Sequence, residues 1–391
     1  MKRFKLAFVT GTRADYGKLK AIMQLCEAQP DMEIFVYVTG MHLMPEYGST
    51  ENEIRADGYK NIYIPPDFKP TANMDENLAQ TILCFSIFVK KIKPDLIVVH
   101  GDRIEPLAGA IVGVLNNIKV AHIEGGEVTG TADEFMRHAI SKLSVMHFVA
   151  NNEAKYRLIQ LGEQGNSIHI IGSPDIDIML SKELPAIETV KHKHKIEFDT
   201  YAIFIYHPVT TSSNLEHEIS QVISAITSSA KNYIIIYPNN DIGTQIICDA
   251  INLLENNSFF MIFKSLPFED FLILLKNAEF IIGNSSAGIR EACVYGVPAI
   301  DIGMRQNCRY VPEALKNIQH IDENTESILQ CIKQAAMFRF SSNYFGDGKS
   351  AKRFVETIRN SDGIKANLQK TFVDMDVTSQ AIMNYINEVC F

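Results

Sequence analysis

Leu6-Ala7-Phe8-Val9-Thr10-Gly11-Thr12-Arg13-Ala14-Asp15-Tyr16-Gly17 is a short apolar run that breaks at a glycine and passes into helical spacing over residues 16–29. That is the opening of a βα unit. The same phrase returns at Leu96-Ile97-Val98-Val99-His100-Gly101-Asp102-Arg103 and at Lys119-Val120-Ala121-His122-Ile123-Glu124-Gly125-Gly126-Glu127. Around these runs the pattern predicts further strands over 33–39, 146–150 and 168–171. It predicts helices over 76–92, 104–116, 134–143 and 153–161, the first stopped before Pro94 and the last closed by Gly162. Short apolar runs alternating with helices mean a parallel sheet covered on both faces.

The rhythm stops over 182–195, where Lys191-His192-Lys193-His194-Lys195 has no apolar period. The two histidines have a spacing that a metal could use, but a solvated charge run is the plainer reading. The alternation then resumes, with strands over 202–206, 233–237, 259–263, 280–282 and 299–302. Helices are expected over 215–229, 244–254, 268–276 and 286–295. The expected fold is α/β, with two Rossmann-like domains facing a central cleft. The divisions are residues 1–180, a linker over 181–198, a second domain over 199–365 and a C-terminal helix over 366–391 that packs back on the first. Ligands of such folds sit at the carboxyl ends of the strands.

Composition narrows the function. The chain has 391 residues, 46% hydrophobic and 21% charged, which is ordinary globular usage. No apolar run approaches the roughly 18 residues of a membrane helix. Met1-Lys2-Arg3-Phe4-Lys5 lacks a small-residue cleavage site and reads as the first strand, not as a signal peptide. The net charge of −9 argues against a nucleic-acid partner. Seven cysteines, Cys26, Cys84, Cys248, Cys293, Cys308, Cys331 and Cys390, contain no CxxC pair and are odd in number. Free thiols in a cytoplasmic protein fit them better than disulfides or zinc.

Five strand ends carry candidate chemistry. Arg13, in the glycine loop after the first strand, offers a bidentate donor to an anion, or caps a surface turn. Asp102 follows 96–100 and Glu124 follows 119–123, with Arg103 beside the first. Asp133 precedes a helix carrying Arg137. Asp102 and Asp133 also suit helix N-caps. Three carboxylates converging from adjacent loops beside arginines suggest proton transfer more than simple binding. His207 follows 202–206, where it can meet a phosphate or serve the core. Gly283-Asn284-Ser285-Ser286-Ala287-Gly288-Ile289-Arg290-Glu291 opens a helix, either as an N-cap or as a diphosphate seat, and Arg305 closes the next strand.

Together these strings resemble the hydrolysing UDP-N-acetylglucosamine 2-epimerases of sialic acid biosynthesis. GTRADYG, HGDR, HIEGGE with TADEFMRHAISKLS, HPVTT, YPNND, GNSSAGIRE, GMRQ and YFGDG stand in the family's order from Gly11 to Gly348. The related non-hydrolysing enzymes typically carry proline and glutamate after GTR, where this chain has Ala14-Asp15.

The resemblance implies a glycosyltransferase-B-type fold and conversion of UDP-N-acetylglucosamine and water to N-acetylmannosamine and UDP, through 2-acetamidoglucal. It implies Asp102, Glu124 and Asp133 as catalytic carboxylates, Asp133 for the C2 proton and the other two for glycal protonation or water activation. It places Arg13, His207, Ser285, Ser286 and Arg305 on UDP and Glu291 on the ribose. Arg103, Arg137 and Asn239 are further ligand candidates, and His122 would orient a sugar or carboxylate. No metal or cofactor is implied, and a homo-oligomer, dimer or tetramer, is. The rivals are the same chemistry on a UDP-2,4-diacetamido sugar or GDP-N-acetylglucosamine, a glycosyltransferase, and a non-catalytic sugar-nucleotide sensor.

Overall fold

The computed structural model describes residues 3–44, 48–71, 73–128, 133–209, 214–238, 243–307, 309–360 and 368–374. Its first half runs β1 (Phe4–Thr10), α1 (Arg13–Glu27), β2 (Met32–Val38), α2 (Glu51–Ala56), β3 (Ile62–Tyr63), α3 (Met74–Ile92) and β4 (Leu96–His100). It continues with α4 (Ile104–Leu115), β5 (Lys119–Ile123), α5 (Asp133–Leu143), β6 (Met146–Val149), α6 (Asn152–Gln160) and β7 (Ile168–Ile170). α7 (Asp175–Met179) and α8 (Ile187–His194) lead to the second half. There follow β8 (Ala202–Ile205), α9 (Leu215–Ser228), β9 (Tyr233–Ile236), α10 (Thr244–Asn252), β10 (Phe260–Phe263) and α11 (Phe268–Lys276). The rest is β11 (Ile281–Gly283), α12 (Ser286–Ile289), α13 (Glu291–Tyr295), β12 (Ala299–Ile302), β13 (Ile318–Ile321), α14 (Thr325–Gln334) and α15 (Ser350–Asn360).

Two parallel sheets result, ordered β3-β2-β1-β4-β5-β6-β7 and β10-β9-β8-β11-β12-β13. In each, the direction of winding reverses beside the first strand, between β1 and β4 (Leu6 opposite Leu96) and between β8 and β11 (Ile203 opposite Ile281). Loops diverge at such a switch point and leave a crevice at the strands' carboxyl ends. The loops after β1, β4, β8 and β11 are the ones that carry GTRADYG, HGDR, HPVTT and GNSSAGIRE.

The chain leaves the first half once and returns once. α7 packs Ile176, Ile178 and Met179 against Leu272, Ile289 and Cys293 of the second half. Residues 181–198, expected as a plain linker, contain α8, whose Val190, with Ile196 just after the helix, is buried in the second half's core. The Lys193 ammonium and His194 Nε2 both meet the Asp270 carboxylate at 2.7 Å, so this charge run is tied to α11. α15 makes the return. Asp177 accepts the backbone N–H groups of Ser350 and Ala351 at 2.8 and 2.7 Å, capping its N-terminus from across the sequence. Phe354, Val355 and Ile358 then enter the first core. Of the C-terminal helix expected over 366–391, only 368–374 falls within the described residues, and there the chain is not helical.

Three other differences have local causes. β3 is two residues long, and β13 (Ile-Gln-His-Ile) is short and half polar, so neither stands out as an apolar run. The helix expected over 286–295 is two helices that part at Arg290, where φ is −89° and ψ −59°. Among the described residues no helix is long and apolar enough to cross a membrane.

The return of α15 is tested by Phe354→Ala. The Phe354 ring is fully buried 4.6 Å from that of Phe148. Truncation should cost about 3–5 kcal/mol, read by urea unfolding with far-UV circular dichroism because the chain has no tryptophan. An unchanged midpoint would mean that α15 is not docked.

Candidate active site

Both switch points open on one cleft that encloses about 190 Å³ and is open to solvent beyond that. The first half lines it with residues from the loops after β1, β4 and β5 and from α5 and α6. The second half adds Ser286, Ile289, Arg290, Gln306, Arg309, Tyr344 and Phe345. Lys18, Arg103, Arg137, Arg157, Arg290 and Arg309 face four carboxylates there, Asp15, Asp102, Glu124 and Glu127. A chain of net charge −9 thus presents a cleft with more cations than anions, which suits an anionic ligand.

Glu124 is the hub. It sits in the left-handed region at φ 62°, unusual for a residue with a side chain. Packing around the loop holds this strained backbone in place. A Cβ on Gly126 would lie 2.2 Å from the Ala154 carbonyl oxygen, so only glycine lets the loop lie against α6. Turned inward, the Glu124 carboxylate meets Arg290 Nη2 at 2.5 Å, His100 Nε2 at 3.0 Å, Lys18 Nζ at 3.2 Å and the Ser173 hydroxyl. Arg290 Nη1 also donates to Glu127 at 2.6 Å, and its guanidinium lies over the Phe345 ring, 4.9 Å from the centroid. Burial alone would raise the Glu124 pKa, but the Arg290, Lys18 and His100 charges overturn that and hold it well below the usual carboxylate range.

Asp102 lines the cleft one loop away and is paired with Arg137, whose Nη1 also donates to the Glu127 carbonyl at 2.9 Å. Arg103 lines it too, 3.6 Å from Glu105. Asp133 opens α5 and is not at the cleft wall. Burial lowers the Arg103 pKa, but the charges of Glu105, Asp15, Asp133 and Asp102 raise it overall.

Several expected ligand residues lie elsewhere. In GTRADYG the anion site is filled from within: Asp15 accepts the N–H groups of Gly11 and Thr12 at 3.0 and 3.3 Å and closes a capping box with Thr12. A Cβ on Gly11 would lie 2.5 Å from the Glu105 side chain, so that glycine makes room for a protein carboxylate. Arg13 turns to Glu53 (Nε to Oε2, 3.2 Å) and does not line the cleft.

His122 is fully buried and bridges Ser141 Oγ and the Gly101 carbonyl at 3.0 and 2.8 Å. Burial pushes its pKa down to about 3, so it is a neutral strut, not a sugar contact. His207 is buried as well and lowered to about 3, by burial and then by Arg305. Asn284 exchanges hydrogen bonds with the His207 backbone at 2.6 and 2.8 Å, zipping the two loops of the second switch point. Ser285 caps α12, and Arg305 donates to the Asn284 carbonyl at 3.2 Å. Only Ser286 of that set reaches the cleft wall. Glu291 is buried beside Lys18, Arg290 and Asp175, and burial followed by the Asp175 charge pushes its pKa up to about 7. Asn239 lies outside the described residues.

Lys18, His100, Arg290 and Arg309 were not singled out from the sequence. Arg290 lay inside a string already quoted, and Lys18 falls five residues after Arg13, on the α1 turn that faces Glu124. Only the packing of the second half onto the first brings Arg290 to Glu124.

The sequence model of a family described as UDP-N-acetylglucosamine 2-epimerase matches residues 24–359. The UDP-N-acetylglucosamine 2-epimerase of Neisseria meningitidis serogroup B is 44% identical over 96% of this chain and 100% of that protein. The UDP-N,N'-diacetylbacillosamine 2-epimerase (hydrolyzing) of Legionella pneumophila is 34% identical over 91% of this chain and 95% of its own. Among solved structures, a Neisseria meningitidis UDP-GlcNAc 2-epimerase bound to UDP-GlcNAc superposes with a TM-score of 0.79. It has 20% identity and covers 92% of this chain and 100% of that one, a likeness of fold.

The Arg290–Glu124 pair is tested by a cycle. Arg290→Met removes one charge from buried Glu124, which keeps Lys18, His100 and Ser173, and the ion pair of half-buried Glu127, and should destabilise by about 3 kcal/mol. Adding Glu124→Gln should recover part of that loss, which urea denaturation of the three variants would read. Simple additivity would mean that the two side chains do not interact.

Proposed function

Because the chain belongs to the UDP-N-acetylglucosamine 2-epimerase family, we propose that it converts UDP-N-acetylglucosamine and water to N-acetylmannosamine and UDP. The observation that carries this reading is the cleft wall, where Asp102 and Glu124 stand on adjacent loops among six cationic side chains.

In the proposed reaction a base removes the C2 proton while the C1–O bond to UDP breaks, giving 2-acetamidoglucal. The charge that builds on the diphosphate is met by cleft cations such as Arg103, Arg137 and Arg309. A proton then returns to C2 from the other face, and water adds at C1 as a base takes its proton. An ionised Glu124 has no proton to give the glycal, so its part is to accept one from water. The family resemblance, not the cleft lining, assigns the C2 proton to Asp133, which opens α5 off the wall with its charge felt by Arg103; Asp102 is assigned to protonating the glycal. Lys18 and Arg290 position Glu124. On the nucleotide side, Ser286 at the cleft wall suits a phosphate.

Release of free sugar, not of UDP-N-acetylmannosamine, is supported by Ala14-Asp15 after GTR and by the hydrolysing relative from Legionella. That relative also supports a second reading, the same chemistry on a diacetamido sugar. We place the reaction in the cytoplasm, at the entry to sialic acid biosynthesis. The free Cys26, Cys84, Cys248, Cys293 and Cys331 suit a reducing compartment.

Proton NMR of the protein with UDP-N-acetylglucosamine in D₂O tests the reading. The expected products are UDP and N-acetylmannosamine carrying deuterium at C2, with Asp133→Asn abolishing turnover but keeping UDP binding. UDP-N-acetylmannosamine, or no reaction while the diacetamido sugar is consumed, would overturn the assignment.

A homo-oligomer is also proposed. Leu83 and Ile87 of α3 and Leu115 of α4 are 67%, 62% and 76% exposed on neighbouring helices. Burying them against a second copy removes that area from water. Light scattering should give a dimer or tetramer, and Ile87→Glu should shift it toward monomer; a monomeric wild type would contradict this.

A further inference from the structure

Lys370, in the described segment 368–374, does not line the cleft, yet it grips the helix that carries Asp133 and Arg137. Its ammonium donates to three carbonyls at the C-terminal end of α5: Ser141 at 3.2 Å, Lys142 at 3.1 Å and Ser144 at 2.7 Å. Its fourth partner is the Glu163 carboxylate, whose side chain is 1% exposed. Glu163 is held in turn by His147 Nε2 at 3.0 Å and Lys142 Nζ at 2.9 Å. A cation on the last carbonyls of a helix satisfies orphan acceptors and complements the negative end of the dipole.

What this grip fixes is legible one residue at a time. Ser141, whose carbonyl Lys370 takes, meets His122 Nδ1 with its hydroxyl, and His122 Nε2 donates to the Gly101 carbonyl. A carbonyl accepts only, so the neutral ring carries its proton on Nε2 and Nδ1 accepts from Ser141. Gly101 precedes Asp102, and Asp102 is paired with Arg137, one turn before Ser141 on the same face of α5. The HGDR loop is thus held twice by one helix face, through Arg137 and through Ser141 and His122. The far end of that helix is held by Lys370.

We propose that Lys370 is a positioning residue for the reaction, and that segment 368–374 is a strap holding α5 and, through Ser141 and His122, the Gly101–Asp102 turn at the cleft wall. This rests on the reading of Asp102 as catalytic, though the docking itself does not. Lys370 is not among the residues that line the cleft. Its loss lets α5 shift along its axis and moves the Asp102 carboxylate off its place, which costs rate far more than binding.

The test compares Lys370→Met and Lys370→Arg with the wild-type full chain, by steady-state kinetics and by amide exchange without substrate. Lys370→Met should lower kcat roughly 10-fold, short of the ~10²-fold that a full 1 Å misplacement can cost, with KM changed less than about twofold. Lys370→Arg should restore most of it. Amides of the last turn of α5 should exchange faster in the Met variant. In a Ser141→Ala background Lys370→Met should cost less than it does alone. An unchanged kcat, equal damage by Arg and Met, a loss confined to thermal stability, or unchanged exchange in α5 would each overturn the proposal. A wild type without turnover would count against the proposed function, and the exchange comparison would then decide the strap by itself.

Discussion

One arginine from the second half reaches a buried carboxylate of the first, and the site is built around that contact. A buried carboxylate without partners is costly, and one with a misplaced partner is little better. Glu124 avoids both by collecting four donors from four parts of the chain: Arg290 between α12 and α13, Lys18 on α1, His100 at the end of β4 and Ser173 before α7. Each of these places a local demand. The left-handed φ of Glu124 aims the carboxylate inward, and Gly126 gives the loop its path. The helix expected to run unbroken from 286 to 295 parts at the residue that must reach across. Phe345 covers the guanidinium and keeps the pair partly dry.

The two switch points explain why so many charges meet in one place. Each sheet opens its crevice at its own reversal of winding, and the chain crosses between sheets through α7 and back through α15, so the crevices face. Loops from both halves then supply cations to a shared wall. Arg290 is the contact that ties Glu124 and Glu127 of the first half to the second.

The fold was legible because β-rich runs ending in glycine recur along the chain, and β4, β5 and β12 fall where the alternation put them. Elements with weak periodicity were not legible. α8 hides its packing face, Val190 with the following Ile196, inside a lysine–histidine run. β13, the edge strand, carries two adjacent polar residues, Gln319 and His320, between its isoleucines and shows no apolar run. The site was legible as a set of strand ends and not as a set of directions. Asp102, Glu124, Arg103, Arg137 and Ser286 point into the cleft, whereas Arg13 pairs with Glu53 and His122 braces a loop. Sequence spacing says which residues leave a strand together, but only tertiary packing says which way each then turns. Thr12 and Asp15 are the instructive case: a capping box readable from spacing alone occupies the N–H groups that otherwise suit a phosphate.

Arg290, the cation from the opposite half, helps to hold Glu124 ionised. This is tested most directly by ¹³C NMR of glutamate-labelled protein titrated from about pH 7 to about pH 3, with the Glu124 signal assigned by its loss in Glu124→Gln. The expected result is a Glu124 resonance that stays in its ionised position well below the ordinary value of 4.5, and that moves up in pH when Arg290 is replaced by methionine. A Glu124 that protonates at or above 4.5 in the wild type would contradict it.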